Sequence, residues 1–294
     1  MSGSIGAHRI KREQVKPTVI KFEQQVLKQF PNYIKYEITG SYNAGIKKDH
    51  GDIDLCILIN SDKSLKDIKK EFKEYIELNS YCTNFEFGKN IGKKAQMYGS
   101  IVTCQVPIVG NELNNVQIDC IIVQTDEQLD FQKHFLDLNG QTQSLYSALV
   151  RVLSNENKNK VFTKFGILNL DNNLQKNQEY EFVLSSNSLS LRLITLDQNY
   201  KTINKKDIWK SYNWDYVIDL VTLSLNNINP INKTFEELVN LTYNSYKNDD
   251  RAKTRIIGII KSIINIGPGE VNTIKGLEKQ NSIDLIINIL KNAN

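Results

Sequence analysis

Two aspartates interrupt an apolar run at Asp52-Ile53-Asp54-Leu55-Cys56-Ile57-Leu58-Ile59, and a third, Asp119, interrupts another at Val116-Gln117-Ile118-Asp119-Cys120-Ile121-Ile122-Val123. Side chains alternate across a strand, so an extended 53–59 segment with its flanking acid puts Asp52 and Asp54 on one face and turns Ile53 and Leu55 to the core. A paired acidic face is thereby built into a core strand. Neighbouring carboxylates repel and raise each other's pKa unless a cation stands between them, and a hard divalent ion with oxygen ligands is the natural partner. Mg²⁺, or Mn²⁺ in its place, is the ion expected. Asp119 on its apolar strand would be costly as an isolated charge, and sharing that ion gives it company.

The segment before the acidic pair supplies a second half of such a site. Residues 33–39 read as a strand that runs into Gly40-Ser41, where the glycine lets the backbone approach a phosphate and the serine adds a hydroxyl and an amide donor. Lys47 and Lys48 follow in the loop as candidates for triphosphate oxygens, against the ordinary reading of a loop lysine as solvated. His50 reads as a turn residue. Gly40 and Gly45 have the glycine spacing of a P-loop, but Ile46-Lys47 stands where Lys-Ser or Lys-Thr is needed, which excludes that reading.

A hydrophobic stretch ending in Gly40-Ser41, then Asp52-Ile53-Asp54, then a strand-borne Asp119, resembles the DNA polymerase β-like nucleotidyltransferase superfamily over residues 18–123. The resemblance implies that Asp52 and Asp54 hold two Mg²⁺ ions, and that Asp119 ligates the second and helps draw a proton from the attacking hydroxyl. It implies transfer of a nucleoside monophosphate from an NTP, ATP among them, to an acceptor hydroxyl with release of pyrophosphate. An RNA 3′ end is the leading acceptor, with a protein or small molecule as the alternative. The competing class is a non-catalytic nucleotide-binding or antitoxin-like module, which is expected to lose an acid; all three are retained.

Around these motifs the periodicity predicts an α+β fold, a sheet flanked by helices and then a mainly helical C-terminal domain with a short β-hairpin, and the resemblance implies that the sheet is the mixed, nucleotidyltransferase-type one. The expected domains are 1–154, with a core at about 18–124, and 155–294. In the first, a helix over 18–30 follows Pro17, and a helix capped by Ser64 carries Leu65, Ile68, Phe72 and Ile76 on one face. Strands are expected at 53–59, 85–87, 101–108 and 116–123, with turns at 88–92 and 110–115. A helical pattern runs from Asp126 to Leu153, and the Asn- and Lys-rich 155–160 segment reads as the joint. Beyond it, 180–196 reads as the hairpin and everything after Asp207 as helical, in runs at 209–225, 235–246, 251–266 and 282–290. Gly267-Pro268-Gly269 closes the third run.

Composition limits the partners. Lys and Arg total 37 against 33 Asp and Glu, so no chain-wide attraction to polyanions follows from the net +4. Arg251, Lys253, Arg255 and Lys261 on the third C-terminal run could track an RNA backbone, although a solvated helix face explains them as well. Cys56, Cys82, Cys104 and Cys120 lack zinc-ligand spacing and read as core thiols. Lys261 interrupts the longest apolar stretch, so no membrane span is expected, and with no secretory signal in the first residues the expected location is cytoplasmic. Oligomeric state is left open.

Overall fold

The computed structural model describes residues 7–43, 45, 47–85, 91–99, 101–167, 170, 174–197, 202–266 and 274–292. They belong to two compact units, Met1–Asn139 and Gly140–Asn294, and the chain is of mixed α+β class.

The first unit opens with β1 (Ile10–Lys11) and α1 (Arg12–Gln25), followed by β2 (Tyr33–Thr39), β3 (Asp49–His50), β4 (Asp52–Ile59) and α2 (Leu65–Leu78). It continues through β5 (Ala95–Tyr98), β6 (Ile101–Ile108), β7 (Asn111–Val123) and α3 (Asp126–Asp137). Five of these strands form one mixed sheet in the order β2-β4-β7-β6-β5, in which β4 and β7 are parallel and the other pairs antiparallel. A parallel pair needs a crossover, and α2 stands in the connection between β4 and β7. Ser64 caps α2 by accepting the Asp67 N–H.

Alternation along the strands divides the sheet into two faces. On one, Ile53, Leu55, Ile57 and Ile59 of β4 join Val116, Ile118, Cys120 and Ile122 of β7 in a core with Phe22 of α1 and Phe72 of α2. On the other, Cys56, Leu58, Ile121 and Val123 pack with Leu129 of α3. The second face is thus apolar only toward the ends of β4 and β7. Closer to the start of β4 it presents carboxylates. All four cysteines are buried free thiols. Burial pushes the Cys56 thiol up to about 12, and Cys82 is raised by its contact with Cys104 and by burial.

The second unit comprises α4 (Gly140–Val152), α5 (Asn155–Lys164), β8 (Gln178–Ser185), β9 (Ser188–Leu196), β10 (Thr202–Ser211), α6 (Trp214–Ser224), α7 (Phe235–Tyr246), α8 (Asp250–Ile264) and α9 (Ile274–Asn292). Its strands form an antiparallel sheet in the order β10-β9-β8. Among the described residues, no helix is long and apolar enough to cross a membrane.

Several expected boundaries move. Pro17 lies inside α1, because the helix already begins at Arg12 and buries Val15. Strand β7 starts at Asn111, which shortens the turn expected over 110–115. The helical pattern after Asp126 is two helices, α3 and α4, which fall in the first and the second compact unit respectively. The 155–160 segment is helical, as the first turns of α5, where Ser154 accepts the Asn157 N–H. The hairpin gains a third strand, β10, so 207–211 is extended rather than helical. Residues 86–90 and Gly267-Pro268-Gly269 lie outside the described residues.

Candidate active site

Register brings the three aspartates onto one surface. Asp54 of β4 stands directly beside Asp119 of β7, and Asp52 beside Gln117. Across the next pairing, Thr103 of β6 stands beside Asp119 and Gln105 beside Gln117. On the outer side Thr39 stands beside Asp54. A row Thr39, Asp54, Asp119, Thr103 therefore crosses four strands, with Asp52, Gln117 and Gln105 in the adjacent row on the same face.

Asp119 is held in place by its neighbours. Its Oδ1 accepts from the Thr103 hydroxyl at 2.7 Å and from Gln117 Nε2 at 2.9 Å. Burial raises its pKa above the ordinary carboxylate value and the charge of Asp52 adds to the rise, while the two hydrogen bonds oppose it. Among the described residues only Oδ1 is engaged, which leaves Oδ2 as the available oxygen.

Gly40 follows β2 with φ at +70°, a conformation that glycine adopts without penalty. A Cβ built there would collide with Asp54 Oδ2 and lie 3.1 Å from Asp54 Cγ, so the turn packs directly on the carboxylate. The Gly40 N–H donates to Asp137 Oδ1 at 3.1 Å, and Asn43 Nδ2 donates to Asp137 Oδ2 at 3.2 Å. Asp137, the last residue of α3, thus braces the turn. Its pKa is raised by burial against the lowering effect of Asn43 and the Gly40 amide.

Ser41 turns toward His50, with Oγ 2.9 Å from Nδ1. His50 is fully buried, and its pKa is lowered by burial and then by the charges of Arg12 and Lys47. The N-terminal segment holds this corner: β1 pairs with β3 so that Ile10 stands opposite His50, Arg9 pairs with Asp49, and the Arg12 N–H donates to Lys48 O at 2.9 Å. The Arg12 guanidinium lies 4.6 Å from the centre of the Tyr42 ring. Lys47 and Lys48 are both exposed.

Register thus places Asp52, Asp54 and Asp119 on one face at one end of the sheet with Gly40 packed on Asp54, while Ser41 turns to His50 and the two lysines lie in the connection between β2 and β3. Among the described residues, however, no group of three or more His, Cys, Asp or Glu side chains is gathered closely enough to hold a metal ion. Asp119 spends Oδ1 on Thr103 and Gln117. The donor set still fits a hard cation in its chemistry: carboxylates on one face, of which Asp119 keeps Oδ2 unengaged among the described residues and has its pKa raised by burial and then by the charge of Asp52.

Sequence reasoning missed Arg12, Thr103, Gln117 and Asp137, and it set aside as a turn residue His50, which is buried in β3. Gln117 could have been found, since it breaks an apolar strand two residues before Asp119 on the same face. The basic positions of α8 are more engaged than expected. Arg255 reaches Glu179 at 3.1 Å and Glu181 at 2.6 Å, and Lys253 pairs with Asp250. Compared with known proteins, the chain matches no family model and no curated protein sequence.

Proposed function

We propose that the chain is a nucleotidyltransferase of the DNA polymerase β-like kind, which moves a nucleoside monophosphate from an NTP to an acceptor hydroxyl and releases pyrophosphate. The observation that supports it best is the direct register of Asp54 with Asp119 on parallel strands, with Asp52 on the same face and the Gly40 turn packed against Asp54.

In this reading Asp52, Asp54 and Asp119 hold divalent cations, Mg²⁺ or Mn²⁺. When bound, such ions would neutralise charge on the entering and leaving oxygens of an in-line displacement. Asp119 Oδ2 takes the proton of the acceptor hydroxyl, while Thr103 and Gln117 fix the carboxylate through Oδ1. The acceptor oxygen forms its bond to the α-phosphorus as the bond from that phosphorus to the bridging oxygen breaks, and pyrophosphate carries the electron pair away. The Gly40 turn lets phosphate oxygens approach the backbone, and Lys47 and Lys48 offer charge to them. An RNA 3′ end is the proposed acceptor.

The test is incubation of the purified chain with each labelled NTP, Mg²⁺ and an RNA, protein or metabolite fraction. Pyrophosphate release with label on RNA is expected, and Asp54→Asn should lower turnover by roughly a hundredfold or more while the fold persists. Label on protein or on a metabolite alone would move the acceptor. Nucleotide binding without turnover in any fraction would replace the enzyme with a binding module.

A further inference from the structure

Two nitrogens in the corner beside Ser41 are buried without an acceptor. Among the described residues, neither an Arg12 guanidinium nitrogen (Nη1) nor His50 Nε2 has a hydrogen-bond partner, and neither atom reaches solvent. His50 is 1% exposed as a whole. Arg12 Nη1 is a donor in every state, and His50 Nε2 is one in the tautomer in which the Ser41 hydroxyl donates to Nδ1. A buried donor left without an acceptor forfeits its hydrogen bond to water and gains none in return. Two in one corner mark a place where acceptor oxygens belong.

The corner is also built to keep them. Tyr42 carries both groups, with the Arg12 guanidinium 4.6 Å from its ring centre and the His50 ring 5.7 Å away. Strand pairing of Ile10 with His50, and the bond from the Arg12 amide to Lys48 O, fix the backbone on either side. Arg9, by contrast, already has its carboxylate in Asp49. A cation with a spare donor, against the same Tyr42 ring as a histidine two residues before Asp52, calls for an anion rich in acceptor oxygens.

We propose that Arg12 and His50 form a subsite for phosphate oxygens of the nucleotide's triphosphate, with Ser41 holding the imidazole in place. The identity of the ligand rests on the nucleotidyltransferase reading; the orphaned donors do not. The N-terminal strap, residues 10–12, is then part of the nucleotide site rather than a decoration of the sheet.

Calorimetric titration with magnesium tripolyphosphate, MgATP and adenosine tests this on the full chain. The wild type should bind both phosphate compounds, and Arg12→Gln should weaken both at least tenfold without changing any response to adenosine. Arg12→Lys, which retains the charge over Tyr42, should recover part of the loss and guards against a folding artefact, as does a melting curve for each variant. His50→Ala should weaken tripolyphosphate severalfold. A wild type that ignores tripolyphosphate, or an Arg12→Gln variant that binds it unchanged, overturns the subsite. Binding through Arg12 without pyrophosphate release from any NTP would retire the transferase and leave the subsite standing. Turnover that Arg12→Gln leaves intact, with tripolyphosphate affinity also intact, would do the reverse.

Discussion

At Asp137 a single carboxylate is asked to serve as an acceptor in a place that resists its charge. Its folded pKa is raised by burial, so between the unfolded value and the folded one the native state binds more protons than the unfolded chain. Stability therefore falls as pH rises through that window and is flat above it. Asp137→Asn should remove this slope and be neutral or mildly stabilising at pH 7, because the amide oxygen still accepts the Gly40 N–H and Asn43, which is exposed, turns to water. Asp137→Ala should instead cost about 1–3 kcal/mol, since it leaves the buried Gly40 donor unmet. Urea unfolding of both variants from pH 4 to 8 measures the two effects. None of this was legible in the sequence, where an acid at a helix end looks solvated. Gly40, Asp52, Asp54 and Asp119 were legible because each breaks a local expectation: a glycine at a strand end, and charges inside apolar alternation.

Among the elements, those with one buried face were readable and those without were not. The buried residues of β4 alternate with its two acids, and α2 shows a clean apolar stripe, so both were expected within a residue or two. Strand β10 is exposed along almost its whole length and carries Lys205, Lys206, Asp207 and Lys210, so no periodicity announced it; its backbone bonds to β9 hold it in place. The two-residue strands β1 and β3 pair across a long stretch of chain, and no local pattern reports such a contact. Helix α8 shows the same limit in its charges. Its Arg255 serves the acids of β8, and Arg255→Glu should bring three carboxylates together and destabilise the chain by roughly 2 kcal/mol. A loss of RNA binding in that variant alone would therefore be uninformative; its urea midpoint should fall, whereas Lys261→Glu, on an exposed position of the same helix, should leave the midpoint within error.

Taken as a whole, the molecule keeps all four of its cysteines in the first compact unit and none in the second. Each is buried, and Cys56 and Cys82 have pKa values raised well out of the reactive range. The native protein should consequently be almost inert to a thiol-specific reagent such as a maleimide, and labelling of Cys56, Cys104 and Cys120, on β4, β6 and β7, should occur only when the sheet that carries the aspartates opens, whereas Cys82, between α2 and β5, reports the opening of that connection. The chain thus contains its own clock for that unit's unfolding, blind to the other. Urea should speed the labelling steeply, and a ligand bound to the folded aspartate end should slow it in proportion to its occupancy. Magnesium tripolyphosphate can be assayed in this way with neither a label on the nucleotide nor a guess at the acceptor, and fast labelling of the three strand cysteines in native buffer would show the sheet core to be far looser than its packing implies.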